Sequence, residues 1–257
     1  MTLIDLTNKV ALVTGGSRGV GAAAAVMFAE AGAKVAITYR ERKDRADEVL
    51  AEIDALGKGQ AIALQADLAE RSQAERVVEE TVEHFGRLDY FVANAGIWPV
   101  EDTSVRDMDD DRWRRTMGVN LDSVFYGCRS AMGVLETGGS IVVVTSTAGQ
   151  RGEAFHADYA ATKGALISFV KSLAVEAGPK DITVNSVAPG WIDTEMSAVP
   201  YEKDGGAGKK RIEASIPLGR VASSHDVAGP IVFLCSSMAR SITGEILNVN
   251  GGSVLCG

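Results

Sequence analysis

The sequence predicts a doubly wound α/β fold, a seven-stranded parallel sheet with helices on both faces. Three observations predict it. Short β-branched runs alternate with amphipathic helical stretches from one end of the chain to the other, several of those runs are apolar at every position, and a glycine-rich turn joins the first run to the first helical stretch. A strand with one face in water alternates apolar and polar residues, whereas 10–13 (VALV) and 141–144 (IVVV) do not alternate at all. Strands buried on both faces have that pattern. Repeated strand–helix–strand units then wind into a parallel sheet with right-handed crossovers.

The first strand is 9–14. Ahead of it Asp5, Thr7 and Asn8 interrupt a stretch that lacks the basic start and continuous apolar core of a signal peptide. The strand runs into Thr14-Gly15-Gly16-Ser17-Arg18-Gly19-Val20-Gly21, and a helix over 21–31 follows. Gly15 makes the turn, Gly19 lets a phosphate approach backbone, and Gly21 lets the helix pack on the strand. The helix start offers unpaired N–H groups and a positive dipole end to a pyrophosphate, and Ala22 to Ala25 keep it slim. A purely structural turn is the plainer alternative; the position between first strand and first helix points to a dinucleotide. The second strand, 35–39, decides which one. An acidic residue at its end would hold the ribose 2′-hydroxyl of NAD(H), but the chain reads Thr38-Tyr39-Arg40 with no carboxylate before Glu41. Arg18 and Arg40 are either solvated charges or two planar cations for a 2′-phosphate. The missing acid makes NADP(H) the expected cofactor and NAD(H) the lesser alternative.

A helix over 42–56, a strand over 60–65, a helix over 72–85 and a strand over 88–93 continue the alternation. A long helix is expected over 109–132. Asp107 precedes it, Asp109, Asp110 and Asp111 open it, and Arg112, Arg114 and Arg115 follow, which suits the helix dipole without any metal. The fifth strand, 140–146, ends at Ser146, and a helix over 157–177 carries Tyr159 and Lys163. Their spacing of four puts both on one helix face. A free phenol, with a pKa near ~10, exchanges protons poorly at neutral pH, and a neighbouring ammonium is expected to lower it. Ser146 can orient a carbonyl oxygen and stabilise charge growing there. The triplet suits reversible ketone reduction, Tyr159 giving the proton while hydride comes from a nicotinamide. The sixth strand is 183–188. The irregular stretch 190–218, with Pro200, Pro217 and EKDGGAGKK, is either a linker or a substrate lid, and its place after a strand's carboxyl end favours the lid. A helix over 226–235 and a strand over 246–249 complete one domain spanning 1–257.

These motifs resemble the short-chain dehydrogenase/reductase family along nearly the whole chain. The resemblance implies a Rossmann fold and a catalytic tetrad of Asn120, Ser146, Tyr159 and Lys163, with Asn120 holding a proton-relay water and Lys163 also binding the nicotinamide ribose. It implies cofactor contacts from the loop (Gly15, Ser17, Arg18, Gly19, Val20, Gly21), from Tyr39 and Arg40, and from Asp67 and Leu68 on the adenine side. Asn94-Ala95-Gly96 resembles the family's motif after the fourth strand, and Pro189, Gly190, Ile192 and Thr194 its nicotinamide stretch. A homotetramer or homodimer is implied as well.

Within that family the 3-oxoacyl-(acyl carrier protein) reductases are the nearest-looking branch, beside broad ketone reducers. Val175 stands where the former tend to present an arginine, leaving Arg129 as a lone nearby cation. Trp98, Phe155, His156 and Trp191 fall around the expected mouth, either as an apolar pocket for an aryl or bulky aliphatic ketone or as ordinary packing. Glu153 is read as a surface carboxylate. The expected activity is NADP(H)-dependent reduction of a small apolar or aryl ketone or ketoester; carrier-protein reduction is the alternative, and a non-catalytic dinucleotide sensor a remote one.

Composition closes off other classes. Net charge is −8, which argues against nucleic acid, anionic membrane or an acidic carrier as partner. Glycine, at 28 of 257 residues, exceeds the usual ~7%, as a chain with many tight turns requires. Cys128, Cys235 and Cys256 show no paired spacing and His84, His156 and His225 are scattered, so neither a disulfide framework nor a metal site is expected. No run of 18 apolar residues occurs, and a soluble cytoplasmic protein is the expectation.

Overall fold

The computed structural model describes residues 4–57, 60–203 and 205–255. Seven strands, β1 (Val10–Val13), β2 (Lys34–Tyr39), β3 (Ala61–Gln65), β4 (Leu88–Ala93), β5 (Leu135–Val144), β6 (Thr183–Pro189) and β7 (Ile246–Val249), form one sheet. Its order is β3-β2-β1-β4-β5-β6-β7 and every neighbouring pair is parallel. The winding reverses between β1 and β4, which opens a crevice at the carboxyl ends of the strands.

Successive strand residues point to opposite faces, so each apolar run feeds two cores. Ala11 and Val13 join Phe28, Ile37, Tyr90, Val142 and Ile231 on one side, against α1 (Gly19–Glu30), α2 (Lys43–Ala55) and α10 (Ser224–Leu234). Val10 and Leu12 join Phe91, Val124, Ile141, Leu166 and Val170 on the other. There they meet α3 (Arg71–Phe85), α5 (Ser123–Val134) and α7 (Ala157–Ala177). This double burial is why the strands lack alternation.

The expected helix over 109–132 is broken. It consists of α4 (Asp110–Met117), one π-helical turn (Gly118–Asp122) and α5. The wide turn rotates Asn120 inward, where it is fully buried. A short helix absent from the sequence reading, α6 (Thr147–Arg151), follows β5, started by the Ala148 N–H donating to Ser146 Oγ at 3.1 Å. Among its described residues the stretch 190–218 holds a 3-10 turn (Glu195–Ser197) and two α-helices, α8 (Ala198–Glu202) and α9 (Ala207–Ser215). An Ile192–Ala222 bridge and a small core of Tyr201, Ile216 and Val221 packed against Trp191 anchor it. Among the described residues no helix is long and apolar enough to cross a membrane. No group of three or more His, Cys, Asp or Glu among them is arranged to hold a metal. Cys128 and Cys235 are free and buried, and Cys256 lies outside the described residues.

Candidate active site

A cavity of ≈ 720 Å³ runs along the carboxyl ends of the first six strands. Each strand contributes as it ends or turns: Gly15 after β1, Tyr39 on β2, Asp67 after β3, Asn94 after β4, Val144 on β5 and Pro189 on β6. The glycine loop is clamped from several sides. The Gly15 N–H donates to Thr38 Oγ1 at 2.9 Å, and Asn94 Nδ2 donates to the Thr14 carbonyl at 2.9 Å and the Gly15 carbonyl at 3.2 Å. Gly15, at φ +63°, would drive a Cβ to 3.0 Å from Ala95 Cα, so the loop lies against 94–96 with no room for a side chain. The start of α1 has no side-chain cap, which leaves its first N–H groups for an anion.

Most residues expected at the cofactor site do line this cavity. They are Gly15, Ser17, Arg18, Gly19, Val20, Tyr39, Arg40, Asp67, Leu68, Asn94, Ala95, Gly96, Tyr159, Lys163, Pro189, Gly190, Ile192 and Thr194. Gly21 is not among the lining residues. It sits behind the loop, where a Cβ would come 2.4 Å from the Gly15 carbonyl oxygen and 2.5 Å from Asn94 Nδ2. Its contribution is close helix–loop packing, not ligand contact.

Ser146, Tyr159 and Lys163 face the same cavity from β5's end and the first turns of α7. The Lys163 ammonium donates to the Val144 carbonyl at 2.8 Å and lies 5.7 Å from the centre of the Tyr159 ring. The expected lowering of the phenol is not found here. Burial pushes Tyr159 up to about 12, the Ser146 hydroxyl opposes that shift and Glu153 adds to it. Burial also brings Lys163 down to about 8. Desolvation therefore dominates both groups. Asn120 is locked: its Nδ2 donates to the Ile97 carbonyl at 2.9 Å, and the Ile97 N–H donates to its Oδ1 at 2.7 Å. Its amide holds the loop after β4, and it is not a lining residue.

Of the expected substrate pocket, Ser146, Trp98 and Trp191 line the cavity, and Phe155 and His156 do not. Phe155 adopts φ +65°, uncommon for a bulky residue, and directs its carbonyl to the Thr103 N–H at 3.1 Å while its ring is 56% exposed. His156 is buried behind Trp98, with ring centres 4.0 Å apart and stacked, and its Nε2 lies 2.9 Å from the Pro99 carbonyl oxygen. It supports the pocket wall. Trp98 stands edge-on to Tyr159 at 4.7 Å and to Trp191 at 6.2 Å, making an aromatic corner beside the phenol. Glu153 is a wall residue rather than a plain surface carboxylate. It faces the cavity and pairs with Arg151 at 3.0 Å.

Three features escaped the sequence reading. Arg151 and Glu195 line the cavity from segments with no motif. Arg112 donates to the fully buried Asp158 carboxylate at 3.0 Å, beside Tyr159, and Thr116 Oγ1 donates to it at 2.9 Å. Burial raises Asp158, but Arg112, Thr116 and the Tyr159 N–H together hold it below the ordinary carboxylate range. An aspartate directly before the helix tyrosine was the one available signal.

Comparison with known proteins agrees with this geometry. A family profile described as Enoyl-(Acyl carrier protein) reductase matches residues 15–253. A probable tetrahydroxynaphthalene reductase of Zymoseptoria tritici is 36% identical, over 97% of this chain and 96% of its own. A 3-oxoacyl-[acyl-carrier-protein] reductase of Synechocystis is 39% identical, over 97% and 98%. The crystal structure of a short chain dehydrogenase from Burkholderia cenocepacia in complex with NADP is 39% identical and superposes with a TM-score of 0.89, covering 96% of this chain and 98% of that one. With a glycine loop, a serine, a tyrosine and a lysine gathered on one parallel-sheet crevice, and relatives of this kind matched almost end to end, the chain belongs to the short-chain dehydrogenase/reductase family of oxidoreductases.

Proposed function

We propose that the protein reversibly reduces a small apolar or aryl ketone or ketoester to a secondary alcohol, using NADP(H). One observation carries this reading: Ser146, Tyr159 and Lys163 share a single cavity with the glycine loop, and Trp98 forms an aromatic wall beside the phenol. The residues present fit the dinucleotide. Gly15 and Gly19 take left-handed backbone at the cavity, the α1 start is uncapped, and Arg18 and Arg40 supply two guanidiniums at the rim. Bound there, the nicotinamide supplies or accepts the hydride. Tyr159 donates its proton to the carbonyl oxygen, and Ser146 orients that oxygen. Lys163 would hold the ribose, and its positive charge steadies the phenolate left behind. Gly96 has no side chain to crowd Asn120 and Lys163, since a Cβ there would stand 3.2 Å from Asn120 Oδ1 and 3.6 Å from Lys163 Nζ. Asn120 thus keeps the post-β4 loop against the lysine. The segment 190–218 serves as the lid, its first residues lining the cavity.

A second reading, reduction of a 3-oxoacyl group on acyl carrier protein, is supported by the Synechocystis relative. Docking an acidic carrier is disfavoured by the surface. Val175 is 78% exposed with no charge to offer, and Arg129 is engaged by Glu75 at 2.7 Å and by the rings of Phe125 and Tyr126. The test is NADPH and NADH oxidation measured side by side with aryl ketones, aliphatic ketoesters and a carrier-mimicking acetoacetyl thioester. Aryl ketone turnover with NADPH is expected. Turnover confined to the thioester would transfer the protein to the second reading, and NADH matching NADPH would overturn the cofactor assignment.

A further inference from the structure

Four arginines, Arg18, Arg40, Arg42 and Arg45, gather where the glycine loop meets the end of β2 and the start of α2. Arg40 pairs with Glu41 at 2.7 Å and Arg42 with Asp44 at 2.7 Å, both partners being near neighbours in the chain. Arg18 is different. Its Nη1 lies 2.9 Å from Oε2 of Glu195, which reaches it from the far wall of the cavity, 177 positions along the chain. The other oxygen of Glu195 is 3.6 Å from Arg45 Nη2, so one carboxylate bridges two guanidiniums on the cofactor side. Arg45 Nη1 also donates to Glu48 at 2.9 Å, and only its Nε is buried without a hydrogen-bond partner. Thr194 stands beside the loop as well, its methyl 3.5 Å from where a Cβ on Gly19 would lie. Glu195 therefore bonds to the loop, and Thr194 stands beside it.

We propose that Glu195 is a specificity-determining residue for the cofactor, a carboxylate that competes with a ribose 2′-phosphate for Arg18. This rests on the reading that Arg18 faces the 2′ end of the dinucleotide. The two anions differ in strength. Glu195 carries one charge, is half exposed and makes a pair of the kind that contributes little to stability. A phosphate monoester carries close to two charges and three acceptor oxygens, and takes guanidinium more strongly. NADP(H) therefore displaces Glu195 from Arg18, whereas NAD(H), with only a hydroxyl at that position, leaves the pair intact. Glu195 weakens the binding of the phosphorylated cofactor and leaves that of the other unchanged. The same exchange frees the start of 190–218 from the loop only when the phosphate is present.

The experiment is calorimetric titration of NADP⁺ and NAD⁺ into wild type, Glu195→Gln, Arg18→Ala and the double variant. Thermal melts confirm that each surface variant is folded. Glu195→Gln is expected to tighten NADP⁺ binding about three- to tenfold, the scale of one exposed charge pair plus the repulsion removed with it. NAD⁺ affinity should stay within about twofold, and in the Arg18→Ala background the Glu195 substitution should tighten NADP⁺ clearly less than it does with Arg18 present, by no more than the removed repulsion, and should leave NAD⁺ unchanged. Equal tightening for both cofactors, no change for NADP⁺, or an undiminished effect without Arg18 would each overturn the proposal. Its fate is separable from that of the NADP(H) reading. If wild type prefers NAD⁺ and Glu195→Gln still tightens NADP⁺ alone, the competition stands and the wild-type preference falls. If wild type prefers NADP⁺ and Glu195→Gln is silent, the reverse holds.

Discussion

At the scale of single residues, the protonation of Tyr159 and Lys163 gives the proposed reaction its pH dependence. With Tyr159 pushed up to about 12 by burial, the phenol keeps its proton throughout the neutral range and is ready as an acid. Reduction consumes that proton, so it needs no prior ionisation; oxidation of an alcohol needs the phenolate, whose share grows with every unit of pH below about 12. Lys163, brought down to about 8 by burial, is a cation below that value and neutral above it. Its charge supports the phenolate that reduction leaves and that oxidation requires, so above about pH 8 kcat/KM for ketone reduction should fall and the rise of alcohol oxidation should level off. A reduction profile that is flat to pH 10 would remove Lys163 charge from the mechanism. Tyr159→Phe should lower turnover by about 10²–10⁴-fold, the usual contribution of a positioned acid. Its NADP⁺ affinity should be that of wild type. Near-normal turnover in this variant would instead favour a dinucleotide sensor. The chemistry-bearing residue types were legible in the sequence because spacing alone puts Tyr159 and Lys163 on one helix face. Their desolvation was not legible, because burial is set by α6, Trp98 and the loop after β4, which come from elsewhere in the chain.

Elements act on the site through a few close approaches. Helix α6 sits on α7 at Gly149, where a Cβ would lie 2.5 Å from the Lys163 carbonyl carbon and 2.7 Å from the Gly164 nitrogen. Backbone cannot yield as a flexible side chain does, so Gly149→Ala must push the two helices apart. Ser146 caps α6 and Lys163 lies on α7, and the substitution therefore changes their separation. A loss of about 1–3 kcal/mol in stability is expected from overpacking, with kcat falling more than tenfold and cofactor affinity little changed. Urea unfolding alongside steady-state kinetics measures both, and wild-type kcat would show that the helices adjust without moving the site. The π-helical turn works in the same way at Asn120, whose amide bonds to Ile97 fix the loop carrying Trp98. The sequence reading ran one helix through 109–132 because apolar spacing is nearly the same on either side of a single wide turn. Likewise α6 has only five residues, too few for a periodic pattern.

For the whole molecule, the helices that cover one sheet face present apolar residues outward. Phe125 is 42% and Val134 38% exposed on α5, and Val175 is 78% exposed on α7. We propose that these surfaces join copies of the chain into a homotetramer or homodimer, as the family resemblance implies. Sedimentation velocity should give the mass of four or two chains. Phe125→Glu, which sets a charge where an apolar contact is expected, should shift the population toward smaller species without lowering the monomer's helix content. A wild-type monomer at micromolar concentration would end the proposal.

The sequence by itself determined the sheet, its parallel sense, the glycine loop and the serine, tyrosine and lysine. Each of these is encoded locally, in two-face burial of short strands, in backbone that only glycine accepts, or in helical spacing. Tertiary structure alone decided which aromatics meet the cavity. Trp98, Phe155 and His156 look alike as sequence neighbours of the site, yet a left-handed residue turns Phe155 to solvent and stacking puts His156 behind Trp98. It also decided the partner of Arg18. That arginine reads as a free cation beside the loop, but chain crossing brings Glu195 from 177 positions away to meet it. A contact of that kind depends on where two strands end in space, and no local pattern of residues encodes it.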